Sequence, residues 1–171
     1  MIISINYPQY WKLLNIDNLV FKDNFVDLSH CEVKKLNNKL SYEESVKYFI
    51  DLQNLVEVLE KNNLTFLFID ENDFLIIDNV LCMINDTCII QLEKNNYFTL
   101  MESIKPKKYI PPEFKYELPL KIYKSFCYYQ ICYMIKEHLD ITIDNIKHTP
   151  LYYAITRGLE KEYCKRFLII I

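Results

Sequence analysis

The chain has 171 residues, of which 51% are hydrophobic and 25% are charged, and its formal net charge is −3. This length suits one domain or one lobe of a larger assembly, and the composition argues against wholesale disorder. The lysine pairs at 34–35 and 107–108 are isolated, so the sequence predicts no basic footprint for nucleic acid.

The cysteines and the apolar runs indicate the cellular compartment of the protein. Six cysteines include no C-x-x-C pair and three histidines are scattered, so we expect no metal site and buried free thiols in a reducing compartment. Residues 1–11 lack a signal-peptide pattern. The longest near-apolar run, 126–135, is about half of the roughly 20 residues that a membrane span needs. These features predict a soluble cytoplasmic protein without a membrane partner.

The first 40 residues form a mixed segment whose structure the sequence leaves open, with apolar patches around 10–14, 19–21 and 25–26. A helix is predicted after Ser41, because Ser41 and Glu44 form a capping box. An apolar stripe with a spacing of three or four follows, and the helix is expected to end at Asn62-Asn63. The stripe consists of Val46, Phe49, Leu52, Val56 and Leu59.

Short strands and turns follow this helix. Four strands are predicted, at 64–69, 74–77, 81–84 and 88–92, because β-branched and aromatic runs alternate with turns rich in Asp and Asn. A polar, lysine-rich connection is then predicted over residues 93–108.

The last third of the chain is predicted to be helical. Residues 122–139 should form the most buried helix, with Phe126, Tyr129 and Tyr133 touching the first or the last helix. An amphipathic helix should start at Leu151. The expected fold class is α+β, mostly helical, with a small β-ribbon. Residues 1–40 would be a short N-terminal segment and 41–171 the main part of one compact domain.

Two distant motifs carry a family resemblance. Pro111-Pro112-Glu113 resembles the A-P-E motif of eukaryotic-type protein kinases, and the segment from Gly158-Leu159 to Arg166 resembles their late C-L-x-x-D-P-x-x-R motif. With the order of helix and strands, the resemblance to the lower, C-terminal kinase lobe covers roughly residues 41–171. It implies a buried structural ion pair between Glu113 and Arg166, and an upper lobe that is absent or rudimentary. The alternative is an unrelated α+β domain, in which these are two solvated charges.

The chain resembles in particular the divergent kinase-like proteins of large DNA viruses. The composition indicates an A/T-biased genome, such as that of a large DNA virus or a low-G+C microbe, because residues with A/T-rich codons are abundant and Gly and Ala occur once each. A viral protein of this kind would reside in the host cell cytoplasm.

The same resemblance locates the positions of kinase chemistry, and these positions hold other residue types. In the register set by the strands, H-R-D falls on Phe66-Leu67-Phe68 and the catalytic asparagine on Asp73. Shifting the register makes Asp70 the base but places Leu75 where a metal-binding asparagine belongs. A phosphate-covering glycine loop is excluded, because the single glycine is Gly158.

A group of polar residues around the predicted strands forms the remnant candidates. D-F-G falls on Asn85-Asp86-Thr87, or on Asp86-Thr87-Cys88 after a shift of one. The candidates are therefore Asp70, Asp73, Asn85 and Asp86. Glu71 and Asp78 lie beside them in the sequence. The simpler interpretation is a solvated acidic turn around Asp70 and Asp73, and an Asx turn at Asp86.

These observations favour a catalytically inactive, kinase-derived domain that acts as a protein-interaction module. The expected partner is another protein. The chain itself is expected to have no catalytic residues, no cofactor and no metal, and to bind no nucleotide. One alternative is a divergent serine/threonine protein kinase that borrows an upper lobe from a partner. Another is an α+β binding protein unrelated to kinases.

Overall fold

A computed structural model gives the fold. The residues that it describes are 1–6, 11–12, 16–37, 39–94, 96–102, 107–114 and 117–171. Most of the predicted apolar patch at 10–14 lies outside them. Helix accounts for 37% of the structure and strand for 23%. The mixed α and β character is therefore confirmed, whereas the prediction of a mostly helical fold is wrong.

The N-terminal segment contains four short strands. Strands β1 (Ile2–Ser4), β2 (Val20–Lys22) and β3 (Phe25–Asp27) form an antiparallel sheet in the order β1-β3-β2. Strand β4 (Val33–Lys35) pairs with a strand of the next sheet. Val26 in β3 is fully buried in the main hydrophobic core, so this segment packs on the same core as the rest of the chain.

Helix α1 (Tyr42–Lys61) begins at the predicted capping box. The Ser41 hydroxyl accepts from the Glu44 amide at 3.2 Å, and the Glu44 carboxylate accepts from the Ser41 amide at 2.9 Å. These two bonds satisfy amides that the first turn leaves free. Asn63 follows the helix with a φ of 55°, a left-handed conformation that Asn tolerates. Both predicted ends of the helix are confirmed.

The four strands predicted after α1 are present, but they belong to two sheets. Strands β6 (Phe74–Ile77) and β7 (Val80–Met83) form a hairpin, and β4 pairs with β6 on the other side. Strand β5 (Leu64–Phe66) pairs with β8 (Ile89–Gln91). The first strand is shorter than predicted because Phe68, with a φ of 54°, turns the chain away.

Strands β9 (Tyr97–Leu100) and β10 (Leu120–Tyr123) form an antiparallel pair that the sequence analysis missed. The prediction of a plain connection over 93–108 is thus wrong at 97–100, and residues 122–123 are strand instead of helix. Aromatic contacts join the two strands, since the rings of Tyr97 and Tyr123 lie 6.1 Å apart.

Helices α2 (Ser125–His138) and α3 (Pro150–Gly158) pack against each other at close range. A Cβ on Gly158 would lie 2.2 Å from the Cys132 sulfur of α2. Only glycine therefore permits this approach of the two helices. Most residues of α2 are buried, which confirms that it is the most buried helix of the described chain.

The aromatic residues of α2 differ in their surroundings. Phe126 is buried against Phe68. Tyr129 and Tyr133 are only half-buried, and their rings lie near Arg166 and Tyr109. Among the described helices, none combines the length and the apolar character of a membrane-crossing segment.

Candidate functional site

Glu113 and Arg166 form a bidentate ion pair. The two terminal nitrogens of Arg166 lie 2.5 Å and 2.6 Å from the two carboxylate oxygens of Glu113. The Arg166 side chain is fully buried and that of Glu113 is 29% exposed. Arg166 also donates to the carbonyls of Glu160 and Lys161, and its guanidinium lies 4.9 Å from the ring centre of Tyr129. Arg166 is therefore not a solvated charge, and the pair links two segments 53 positions apart.

Asp73 is the buried centre of the acidic turn after β5. Its carboxylate accepts from the Lys107 ammonium at 2.5 Å and 2.6 Å, from the Asp70 amide at 2.7 Å and from the Asn85 side chain at 2.7 Å. Its side chain is 4% exposed. The prediction of a solvated turn is wrong for Asp73, because Lys107 and two amides replace the water that would otherwise surround the carboxylate.

Lys107 reaches Asp73 from the segment before the proline pair and also lies 3.6 Å from Asp70. Burial lowers the pKa of Lys107, but the hydrogen bond to Asp73 and the nearby negative charges outweigh burial and raise it overall. The Cys88 sulfur is 3.9 Å from the same ammonium. Burial, with a contribution from the charge of Asp73, raises the pKa of Cys88 to about 11. The ammonium is thus fixed as the counter-ion of this cluster.

Phe68 occupies the position that the resemblance gives to the catalytic base. Its side chain is buried, and its ring makes edge contacts with Phe114 at 5.2 Å and Phe126 at 5.6 Å. A bulky residue at positive φ costs about 1–3 kcal/mol, and this packing holds Phe68 there. A phenyl ring can neither accept nor deliver a proton.

Asp86, the metal-binding position of the resemblance, is also buried and not a plain Asx-turn residue. It lies at the start of a short 3-10 turn, Asp86–Cys88. Its carboxylate accepts from the backbone amide of Asn6 and, at 2.7 Å, from the Asn6 side chain. The N-terminal segment is therefore bound directly to the Asp86 carboxylate. The Asn85 side chain donates to Asp73 and not to Asn6.

Asp70 and Glu71 lie at the open edge of the cluster. Asp70 caps the 3-10 turn Glu71–Asp73 by accepting from the Asn72 amide. Glu71 accepts from the Tyr109 hydroxyl at 3.0 Å. Although burial raises the pKa of Glu71, its own backbone amide, the Tyr109 hydroxyl and the charge of Lys108 lower it overall. Asp78 is separate from this site and binds the Glu32 amide at 2.7 Å.

Metal-binding chemistry has no support in the described ranges. They contain no group of three or more His, Cys, Asp or Glu side chains placed to hold a metal ion. The six cysteines are free, and Cys82, Cys127 and Cys132 are buried as predicted, whereas Cys164 is exposed. Burial raises the pKa of both Cys82 and Cys127 to about 12, which makes them poor nucleophiles.

The sequence analysis located four remnant candidates but missed two residues that complete their surroundings. Asp70, Asp73 and Asn85 come together, whereas the bonds of Asp86 tie it to Asn6. In the sequence, Lys107 is one of an isolated lysine pair, and Asn6 lies in the N-terminal segment whose structure the sequence leaves open. No local pattern marks either residue, because their partners lie 34 and 80 positions away.

Comparisons with known proteins give a structural neighbour and no sequence relative. No protein-family model matches the chain, and no curated protein matches it. The crystal structure of the Legionella pneumophila LegK7 effector kinase is similar to it, with a TM-score of 0.57 and 16% sequence identity. The alignment covers 74% of this chain and 36% of that kinase, so the chain matches only about a third of its length. At this identity the likeness concerns the fold alone, and the chain has a kinase-like fold.

Proposed function

We propose that this chain is a kinase-derived domain that does not transfer phosphate and that serves as a protein-interaction module. The observation that carries the proposal is Phe68, a buried phenyl ring in the position that the resemblance gives to the catalytic base. General-base catalysis needs a group that accepts the proton of the attacking hydroxyl. The phenyl ring of Phe68 is not such a group.

The residues around Phe68 do not suit a nucleotide with magnesium. Phosphates are held in proteins by backbone amides of glycine-rich loops, by a lysine and by metal ions on carboxylates. Here the Asp73 carboxylate already binds the Lys107 ammonium and two amides, and the Asp86 carboxylate binds Asn6. A magnesium ion at either carboxylate would have to displace these donors.

The proposal is tested by titrating the chain with ATP and magnesium in a calorimeter, followed by a phosphotransfer assay on a generic protein substrate. We expect neither binding heat nor phosphorylated product. Asp73→Ala and Asp86→Ala are the matched variants, because each removes one of the two carboxylates. Micromolar binding by the natural chain that either variant abolishes would overturn the proposal and favour a divergent serine/threonine kinase.

The kinase-like fold favours these two hypotheses over an unrelated α+β binding protein. Between the two, the Lys107–Asp73 pair supports the inactive domain. Lys107 contacts both oxygens of the Asp73 carboxylate, a group that a kinase would keep available for catalysis or metal binding. We therefore propose that the domain acts by binding another protein through its surface.

A further inference from the structure

The His138 ring at the end of α2 is buried, at 4% exposure, and has a polar partner on each side. Its Nδ1 atom lies 2.8 Å from the carbonyl oxygen of Asn37, and its Nε2 atom lies 3.3 Å from the hydroxyl oxygen of Tyr109. The backbone of His138 is fixed as well, because its carbonyl accepts from the Leu40 amide at 2.7 Å. The ring therefore joins the chain before α1 to the segment before the proline pair.

The Tyr109 hydroxyl connects His138 to the acidic turn, because it donates to the Glu71 carboxylate at 3.0 Å. Burial, together with the charge of Glu71, raises the pKa of Tyr109, so the hydroxyl keeps its proton. A hydroxyl has only one proton to donate, and a charged carboxylate is a stronger acceptor than a neutral ring nitrogen. The proton of Tyr109 is therefore directed to Glu71, and none is left for His138.

The donors and acceptors of this network balance only when the His138 ring carries two protons. A carbonyl oxygen can only accept, so Nδ1 must carry the proton of the hydrogen bond to Asn37. Since the Tyr109 proton is directed to Glu71, the contact between Nε2 and the hydroxyl oxygen is a hydrogen bond only if Nε2 carries a proton too. A ring with both protons is an imidazolium cation. In this state each buried donor of the network has an acceptor.

We propose that His138, Tyr109 and Glu71 form a pH-sensitive latch that fastens residues 107–109 to the acidic turn. With two ring protons, His138 holds the Tyr109 hydroxyl and, through it, Glu71. When Nε2 releases its proton to water, one hydroxyl proton remains for two acceptors, so either His138 or Glu71 loses its hydrogen bond. Residues 107–109 are then held less tightly. This inference goes beyond the proposed function, because it concerns the attachment of a segment and not the chemistry at Phe68.

Titratable groups from three elements surround the latch. They are Asp70 and Glu71 of the acidic turn, Tyr133 and Glu137 of α2, and Lys107 and Lys108 of the segment before the proline pair. Lys107 is bound to Asp73, and Lys108 lies 3.5 Å from Glu71. The chain before α1 adds the uncharged carbonyl of Asn37. Burial disfavours the charged form of the ring and the surplus of carboxylates favours it, so protonation of His138 responds to the pH.

NMR of the full chain with isotope-labelled histidine tests the protonation of the ring between about pH 5.5 and about pH 8.5. At the acid end of this range we expect protons on both ring nitrogens of His138. As the pH rises, Nε2 and not Nδ1 should lose its proton, because the Asn37 carbonyl requires the proton on Nδ1. His30 and His148 are exposed and serve as controls in the same spectra.

Hydrogen exchange measured by mass spectrometry reports how tightly residues 107–109 are held. The rates are first corrected for the intrinsic dependence of exchange on pH. The amides of this segment should then exchange about ten-fold faster once His138 has lost its Nε2 proton, because a hydrogen bond of a charged group is lost. This change should occur over the same pH interval as the change in the His138 signal, and not over that of His148.

Two variants separate the latch from a purely structural role of the ring. His138→Gln has no proton to lose, and Tyr109→Phe removes the hydroxyl that links the ring to Glu71, so exchange of residues 107–109 should become independent of pH in both. His148→Gln is the matched control and should keep the pH response. A His138 ring with one proton at every pH, exchange in the natural chain that does not change with pH, or a pH response that survives in either variant would overturn the proposal.

Discussion

Lys107 and Asp73 are joined by a two-point contact, with the ammonium nitrogen 2.5 Å and 2.6 Å from the two carboxylate oxygens. The contact fastens the segment before the proline pair to the turn after β5, across 34 positions of the chain. It holds a buried carboxylate of the turn to a lysine from a distant segment.

Replacing Lys107 with Met should leave the Asp73 carboxylate buried without a counter-ion. Because the Lys107 side chain is itself 30% exposed, we expect a loss of roughly 2–3 kcal/mol in the free energy of unfolding, measured by urea denaturation. Lys108→Met is the control, since Lys108 is 48% exposed and 3.5 Å from Glu71, and it should cost less than about 1 kcal/mol. Equal losses in the two variants would contradict this account.

Stability at alkaline pH should depend on the same pair. The pKa of Lys107 is raised in the folded state, so its contribution is fully present below the ordinary value of 10.5 and is lost as pH rises through the folded pKa. The difference in unfolding free energy between the natural chain and Lys107→Met should therefore be constant up to about pH 10 and narrow above it. A difference that widens with pH would show that the sign is wrong.

Replacing Arg166 with Ala should destabilise the chain strongly. The change leaves Glu113 without its partner and removes the donors to two carbonyls, so we expect a loss of about 3–5 kcal/mol and a clearly lower Tm. Lys165→Ala is the neighbouring control, because its pair with Glu162 is exposed on both sides and should contribute less than about 1 kcal/mol. A Tm for Arg166→Ala near that of the control would refute the structural role.

Acid stability should respond to the hydroxyl of Tyr109. The pKa of Glu71 is lowered in the folded state, so this contribution is present above the ordinary value of 4.5 and is lost as pH falls through the folded pKa. In Tyr109→Phe the pKa of Glu71 should move back towards 4.5, and less stability should be lost between pH 5 and about pH 3. Tyr133→Phe, whose hydroxyl has no hydrogen bond among the described residues, should behave like the natural chain.

Adding one methyl group at Gly158 should weaken the contact between α2 and α3. The new Cβ would lie 2.2 Å from the Cys132 sulfur, and we expect Gly158→Ala to cost about 1–3 kcal/mol despite its better helix propensity. Cys132→Ala removes that sulfur, so the double variant should lose less than the sum of the single losses. Strict additivity in the double-mutant cycle would show that the two residues are not in close contact.

The parts of the fold that sequence reasoning predicted are those with local causes. The capping box at Ser41 and Glu44 marks the start of α1, and alternation between apolar runs and Asp or Asn turns marks the hairpin β6–β7. The pairing of β9 with β10 has no such mark, since the strands are separated by the proline pair and meet through tertiary packing. The same holds for Lys107, whose role is set by the burial of Asp73 and not by its neighbours in sequence.

The resemblance predicted the contact between Glu113 and Arg166 but not the burial of the acidic residues. Charge clusters in turns are exposed in most proteins, so a solvated turn was the natural interpretation of Asp70 and Asp73. Asp73 departs from it because a cation arrives from a distant segment. The ion pair between Lys107 and Asp73 depends on the folded arrangement of two distant segments, so the sequence around Asp73 does not indicate it.

The Gln53 side chain of α1 donates to the Ile169 carbonyl and accepts from the Ile171 amide. These two hydrogen bonds affect the order in which the chain folds. Helix α1 can form as soon as its own residues have been synthesised, but the backbone that its Gln53 binds is translated 116 positions later. Until then the apolar side of α1 is only partly buried by other residues. Contacts between residues this far apart in sequence also form slowly. A newly made chain should therefore expose part of the apolar side of α1 until residues 169–171 have been synthesised.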